Sequence, residues 1–480
     1  MRLAMIIPRP ARETLGPMEK FSPAIPPLGP LMVATRLKGE GHEIRLIDAH
    51  ALRLSVEDLL KEIRSESVDV ALFSCLTFAM DGVEETSRLI RETLPSVKIV
   101  LGNLHATLFH EDLVGRGVGD AVVRGEGEET ICDLIKAWSK GLTPAGTRGV
   151  TWRDSNGTVV VEEDRPLIPD LTLLPHPNLE LLPDAPYEAF RIRELEQGSI
   201  VAPIQAGRGC AFNCAFCSQN IIYPGLRLRR VDDVLDEMEA QSRQHDVRTF
   251  GFVDANFPPS IRYGHEFARK FRERGLVGKI SWFTEVRLDL VDAELISDLA
   301  GAGCRLIQFG VESGDDAILN EMGKGTEAKS GLDVFRWCRE AGIMTVGLFV
   351  IGMPGETEAQ IRTTVKLAAR LDPDLAKFSV ATPYPGSALW HEHQELLKDA
   401  PYWKFSGWLD PQKGGPHLLE GVSLPSQKLA RWQRMAMVRF YGNPRVLARL
   451  VRTGLLRPGT LWQGIVSAGQ GLLTWRGRRR

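Results

Sequence analysis

Two stretches of this chain alternate short apolar runs with segments of helical apolar spacing, and that alternation restricts each to a parallel sheet with crossover helices. In the first, strands are predicted at Leu3–Ile7, Ile44–Ile47, Val68–Phe73, Val97–Leu101 and Ala121–Val123, with helical spacing at Val56–Ile63, Val83–Leu94 and Glu128–Trp138. In the second, strands are predicted from about Ile204, then at Thr249–Val253, Ile280–Thr284, Leu306–Phe309, Thr345–Ile351 and Ala376–Val380. Six strands, each followed by a helix, suggest a barrel or partial barrel. Between the arrays, Ser155-Asn156-Gly157 turns a hairpin between Gly149–Trp152 and Thr158–Val161, and Pro166, Pro169, Pro175, Pro177 and Pro183 make an extended linker. The expected fold class is therefore α/β. Its divisions are a Rossmann-like domain at 1–142, the hairpin and Pro-rich linker at 143–202, a partial (β/α)6 barrel at 203–390 and a basic helical region at 391–480. A chain of 480 residues exceeds the size at which one core stops growing, so two or more domains are expected.

Seven cysteines show no framework-like spacing, which argues for a reducing compartment and against disulfides. Cys75, Cys132, Cys304 and Cys338 stand in apolar or helical contexts and read as buried small side chains. The other three form the run Cys210-Ala-Phe-Asn-Cys214-Ala-Phe-Cys217. That CxxxCxxC spacing leaves a cubane 4Fe-4S cluster one thiolate short, with an iron open to a small chelating molecule. A closed zinc site needs a fourth ligand that no nearby His or Cys obviously supplies. Gly207 and Gly209 permit the close backbone approach of a cluster loop, and Phe212 and Phe216 can shield it from water. Ligands of such sheets bind at the carboxyl ends of the strands. Ser74–Thr77, Gly102–Thr107 and Gly125–Glu129 should line one crevice, and Cys210 follows the first barrel strand.

Cys210, Cys214 and Cys217, with Phe216 before the third, resemble the signature of radical S-adenosylmethionine (radical SAM) enzymes. Companion segments follow the later strands in order: Phe252–Phe257, Arg287, Gly310-Val311-Glu312-Ser313-Gly314, Gly352-Met353-Pro354-Gly355-Glu356-Thr357 and Pro383-Tyr384-Pro385-Gly386. The first array resembles the cobalamin-binding domain that precedes this barrel in one branch of the family. The matching segments are Pro26-Pro27-Leu28-Gly29, Ser74-Cys75-Leu76-Thr77, Gly102-Asn103-Leu104-His105-Ala106-Thr107 and Val123 to Thr130. The resemblance spans about 1–390.

The resemblance implies that the amino and carboxylate groups of S-adenosylmethionine chelate the open iron and that one electron releases a 5'-deoxyadenosyl radical. Asp254 and Asn256 would meet the ammonium, Arg287 a carboxylate, and Glu312 the ribose hydroxyls, with Ser313, Gly352 and Pro354 completing the pocket. Ser74, Leu76, Gly102, Asn103, His105, Gly125 and Glu126 would hold cobalamin. The family's glycine pair after the fourth strand is Gly102-Asn103 here, which reduces room for the nucleotide tail. Asp48-Ala49-His50 invites comparison with a DxHxxG cobalt-ligand motif, yet Arg53 replaces its glycine and the triplet follows the second strand, so cobalamin is expected without a protein histidine on its lower face. The implied activity is methylation of an unactivated carbon, with electrons from a flavodoxin or ferredoxin. Ring formation, ring contraction or oxygen insertion, on a lipid-like or tetrapyrrole substrate, is the alternative. A non-catalytic cobalamin or iron-sulfur sensor is disfavoured by the retained segments around Glu312 and Gly352.

From Gly421 to Arg480 the chain has eleven Arg, one Lys and no acid, against a net charge of -2 overall. Val446, Leu447, Leu450 and Val451 share a helical face flanked by Arg445, Arg449 and Arg452, and Leu461, Trp462, Ile465 and Trp475 follow. Such a segment either caps the barrel or lies at an anionic membrane surface. Nucleic acid is disfavoured because no base-stacking platform accompanies the charge. With no leader pattern and no apolar run of spanning length, a cytoplasmic location is expected, the basic tail being the candidate for peripheral contact at the inner face of the membrane.

Overall fold

The computed structural model describes residues 1–9, 25–185, 187, 200–406 and 417–453. The amino-terminal sheet contains β1 (Arg2–Ile7), β2 (Glu43–Asp48), β3 (Val70–Ser74), β4 (Lys98–Gly102) and β5 (Ala121–Val123), parallel in the order β2-β1-β3-β4-β5. β3 reads Val-Ala-Leu-Phe-Ser and is buried throughout, as a central parallel strand covered on both faces must be. The helix Val56–Ser65 starts where Ser55 accepts a hydrogen bond from Asp58 N, and it buries Leu59 and Ile63. The order reverses between β1 and β3, and ligands of such sheets bind outside the carboxyl ends beside that switch. The hairpin strands β6 (Val150–Arg153) and β7 (Val159–Val161) extend the sheet antiparallel from β5. The connecting segment proper thus begins after Val161.

That segment is fixed at both ends. Asn178 N donates to Thr35 Oγ1 of the first domain at 2.9 Å, and Gln241 Nε2 of the barrel donates to Pro177 O at 2.7 Å. Leu171 and Leu179 are buried along it. One apolar core consequently runs from Leu3, Leu31 and Val100 through Leu179 into the barrel residues Leu235, Phe250 and Trp282.

The second sheet contains β8 (Val201–Ile204), which spans the division at 202, then the short antiparallel pair β9 (Gly207–Arg208) and β10 (Arg227–Leu228). β11 (Thr249–Phe252), β12 (Ser281–Arg287), β13 (Cys304–Glu312), β14 (Met344–Ile351) and β15 (Leu375–Val380) follow. The parallel order β15-β14-β13-β12-β11-β8 makes an open six-stranded barrel. Val201, Phe283, Leu306, Met344 and Val346 form one apolar cluster within it, while Glu285 and Lys377 remain exposed.

The helices Ser426–Tyr441 and Pro444–Arg452 lie on the β15 side. Gln433 Nε2 donates to Phe378 O at 2.8 Å, and Tyr441 Oη donates to Ala376 O at 2.9 Å. Val446 and Leu450 are buried, and Arg449 pairs with Asp372 at 2.9 Å and Asp374 at 3.1 Å. The apolar face expected to meet a membrane is therefore divided: two of its residues cap the protein, whereas Leu447 and Val451 stay exposed. Leu461, Trp462, Ile465 and Trp475 lie outside the described residues. Among the described residues no helix is long and apolar enough to cross a membrane.

Candidate active site at the cysteine loop and the domain interface

The loop carrying Cys210, Cys214 and Cys217 leaves β9 and folds back on itself. Cys210 N donates to Asn220 Oδ1 at 3.0 Å, Asn220 Nδ2 donates to Phe212 O at 3.0 Å, and Cys217 N donates to Cys214 O at 3.0 Å. Ala215 links outward, its N donating to Met322 O and its O accepting from Leu389 N. The thiols lie within electrostatic range of one another, and burial pushes Cys214 and Cys217 up. Arg287 and Lys324 oppose that rise at Cys214. A thiolate set exposed on one side and faced by two cations suits an iron-sulfur cluster. Among the described residues no three His, Cys, Asp or Glu side chains converge as tightly as a single metal ion requires.

The expected S-adenosylmethionine residues surround this loop, each already engaged. Asp254 accepts from Ala206 N at 3.0 Å and Gly207 N at 2.7 Å, which fixes the start of the loop, and burial pushes its carboxyl up to about 7. Asn256 joins two rim elements: Nδ2 lies 3.4 Å from Cys210 Sγ, and Oδ1 accepts from Arg287 N at 3.0 Å. The Arg287 guanidinium forks onto Asp289 with two contacts of 2.8 Å, stacks 3.7 Å from the Phe212 ring centre and stands 3.8 Å from Cys214 Sγ. Its carboxylate partner in this structure is Asp289. Ser313 Oγ lies 3.2 Å from Thr364 Oγ1 and accepts from Asp315 N at 3.1 Å, so it is turned toward the helix Glu358–Leu371. Gly352 N donates to Glu356 Oε2 at 2.5 Å, and Pro354 is half-buried in the same turn. Among the described residues Glu356 Oε1 is a buried acceptor with no donor, and burial pushes this carboxyl up to about 7.

Glu312 pairs with Lys324 at 2.8 Å, with only 9% and 6% of the two side chains exposed. A Cβ at Gly310 would stand 2.5 Å from Glu312 Oε1 and 2.8 Å from Lys324 Nζ, so any side chain there would displace the ends of this pair. Lys324 is a residue that motif reading missed; its signal is the Gly323-Lys324-Gly325 run, both glycines having positive φ. Lys324→Met should leave Glu312 buried without its cation and lower stability by about 3–5 kcal/mol. Urea unfolding checks this, and a loss under about 1 kcal/mol would show the pair to be solvated. Glu285 is a second residue missed, on β12 one turn of alternation before Arg287. Although solvent reaches it through the open barrel, the surrounding protein wall and the neighbouring Glu312 push its carboxyl up to about 7.

In the amino-terminal crevice, Ser74 Oγ accepts from Asn103 Nδ2 at 3.0 Å across the ends of β3 and β4. Asn103 has φ 79° and ψ -173°, a conformation that belongs almost wholly to glycine, so the backbone keeps the shape of a glycine pair while its amide bridges the crevice. It also caps the helix Leu104–Leu108, accepting from Leu104 N at 2.7 Å. Asn103→Ala should destabilise by about 1–2 kcal/mol and Asn103→Gly by only a few tenths, as for other caps; thermal or urea unfolding of the two variants checks the order. Gly102 O accepts from Cys75 N, and Gly125 N donates to Thr107 Oγ1 at 3.1 Å. Leu76 is 36% exposed at the carboxyl edge, an apolar surface facing out of the crevice end. His105 is turned inward: Nδ1 lies 3.1 Å from Thr77 Oγ1, the ring packs on Phe109 and Tyr402, and burial lowers its pKa to about 3.

Glu126 meets the barrel. It binds Arg208 at 2.7 Å and Arg227 at 3.0 Å and accepts from Ile168 N at 2.7 Å, while Glu128 binds Arg208 at 2.5 Å. Burial pushes Glu126 up, but Arg227 and Arg208 outweigh it and hold the carboxyl below its ordinary range.

Two regions of the sequence match family models: residues 17–135 match the B12 binding domain and residues 204–368 the radical SAM superfamily. An uncharacterized methyltransferase of Pyrococcus horikoshii is 31% identical over 429 residues, covering 88% of this chain and 89% of that one. The chain belongs to the B12-binding branch of the radical SAM superfamily. An anaerobic magnesium-protoporphyrin IX monomethyl ester cyclase of Cereibacter sphaeroides is 29% identical, covering 79% of this chain and 62% of the cyclase. The radical S-adenosylmethionine methyltransferase TsrM of Kitasatospora setae shares the fold with a TM-score of 0.66 at 20% identity, covering 96% of this chain and 90% of that one. The cofactors of this radical SAM enzyme are those of its two domains: a 4Fe-4S cluster with S-adenosylmethionine, and cobalamin.

Proposed function

We propose that this radical SAM enzyme methylates an unactivated carbon of a small biosynthetic molecule. The observation that carries the reading is the direct attachment of the cysteine loop, through Arg208, to the B12-binding domain, an attachment that supports a single substrate space served by both reagents. When bound, the cluster and S-adenosylmethionine supply a 5'-deoxyadenosyl radical, and cobalamin supplies a transferable methyl group. Cys210, Cys214 and Cys217 hold the cluster. Arg287 and Lys324 keep positive charge beside Cys214, Asn256 orients Cys210 Sγ, and Phe212 shields the cluster side of the loop. Ser74, Gly102, Asn103 and Gly125 line the nucleotide-tail crevice, and Leu76 gives cobalamin an apolar contact with no histidine ligand. Electrons come from an external flavodoxin or ferredoxin.

The test is anaerobic incubation of reconstituted enzyme with S-adenosylmethionine, reductant and extracts or candidate substrates. Formation of 5'-deoxyadenosine together with a product heavier by one methyl in place of one hydrogen is expected. Absence of 5'-deoxyadenosine under every condition would refute the radical reading. The cyclase relative motivates a second reading, radical ring formation, which would yield 5'-deoxyadenosine without a methyl gain. The sequence of 454–480, with five Arg and no acid, supports peripheral contact with anionic membrane. Deleting it should abolish cosedimentation with anionic vesicles, and unchanged cosedimentation would refute that contact.

A further inference from the structure

We infer that Arg208, Arg227, Glu126 and Glu128 form a positioning device that holds the cysteine loop in register with the B12-binding domain. The inference rests on the proposed two-cofactor function and assigns these four residues, one of them expected to hold cobalamin, a different task. The Arg208, Glu126 and Glu128 side chains are 3%, 3% and 4% exposed, and Arg227 is 16% exposed. Two guanidiniums and two carboxylates therefore compensate one another in a nearly dry interface, and removal of one strands a charge. Tyr223 closes the set, with Arg208 5.2 Å above its ring.

What makes this more than a surface tie is its place in the chain. Ala206 N and Gly207 N are held by Asp254, Arg208 by the two glutamates and Cys210 N by Asn220, while Gly209 lies so close to the Gly225 carbonyl that a Cβ would have no room. Arg208 also pairs with Arg227 in β9–β10, and Arg227 returns to Glu126. Every residue leading to the first cluster cysteine is thus fixed, on one side to the barrel and on the other to the amino-terminal domain. A displacement of Arg208 cannot be absorbed before Cys210; it moves the loop. The segment Gly125-Glu126-Gly127-Glu128 runs from the turn after β5 into the first residues of the helix Gly127–Ser139, and the β5 end borders the crevice, so the same four charges reference that crevice.

Glu128→Gln and Arg208→Gln in the full-length, reconstituted enzyme test this without a substrate. Given S-adenosylmethionine, cobalamin and reductant, 5'-deoxyadenosine reports the cluster alone, whereas S-adenosylhomocysteine reports methyl transfer across the domain interface. We expect the ratio of S-adenosylhomocysteine to 5'-deoxyadenosine to fall at least tenfold at unchanged iron content. In the protein without added cofactors, amide exchange of 124–131 and 205–229 should rise together by at least tenfold. An unchanged ratio, whether both products persist or both decline in proportion, overturns the positioning role, as does exchange that rises in one segment only. If Arg208→Gln loses iron, Glu128→Asp, which keeps the charge and shortens the reach, is judged by the same ratio. Wild-type enzyme that forms no 5'-deoxyadenosine refutes the radical reading instead, and the exchange experiment still decides the contact.

Discussion

Cys214→Ala is expected to give a folded protein that retains no 4Fe-4S cluster and forms no 5'-deoxyadenosine. The thiol is one of three in a loop that offers no fourth protein ligand, so a lost thiolate leaves the cluster too few anchors to persist. The fold should survive because the cations beside Cys214 have other partners: Arg287 keeps Asp289, and Lys324 keeps Glu312. The control is Cys75→Ala. Cys75 is fully buried on the other domain, its thiol pushed up to about 12 by burial, and its N donates to Gly102 O, a bond the substitution leaves intact. That change should cost about 1 kcal/mol, the order for deleting one buried heavy atom, with iron content unaffected. Iron and sulfide analysis with electron paramagnetic resonance of the reduced protein separates the two. Wild-type iron in Cys214→Ala would remove this loop from the chemistry.

Strands were legible in the sequence where both faces are apolar, and less so where they approach the site. β3 and β5 match their apolar runs to within a residue or two, because buried parallel strands carry little else. β12 runs on to Arg287 and β13 to Glu312, past the predicted ends at Thr284 and Phe309. The extra residues include Glu285, Arg287, Gly310 and Glu312, whose alternation is polar on the barrel's inner side, so an apolar-run criterion stops short at the functional end. Motifs name the candidate site residues but not their partners. Asp254 reaches back 48 residues to Ala206, and Glu126 reaches across 82 to Arg208, distances over which local spacing carries no information. Glu126 illustrates the consequence: its segment resembles part of a cobalamin domain, yet the carboxylate faces a barrel arginine. Asn103 shows the converse, since a departure from the glycine pair still adopts glycine's backbone conformation.

Gly209→Ala should be the most damaging single change outside the cysteines, and Gly225→Ala, in the bend just before β10, much milder. Gly209 has φ +86°, and a Cβ there would stand 1.6 Å from Gly225 O, 2.6 Å from Tyr223 O and 2.7 Å from Gly225 C. All three obstacles are backbone, so no rotamer change relieves the overlap. β9 and β10 must separate, which withdraws Arg208 from Glu126 and Glu128. The strained dihedral alone costs about 1–3 kcal/mol, and breaking one partner out of a buried ion set adds about 3–5 kcal/mol. A cost of that order approaches the whole stability of an ordinary domain, so the variant should fail to assemble a cluster and should unfold at markedly lower urea. Gly225 also has a positive φ, +73°, but a Cβ there meets nothing within 4 Å, leaving only a left-handed backbone cost of about 1–2 kcal/mol. Both variants have the same composition and differ only in where one methyl is placed. If Gly209→Ala matched Gly225→Ala in iron content and urea midpoint, the loop would not be clamped against the Tyr223–Gly225 backbone, and the rigid path from Arg208 to Cys210 would be lost with it.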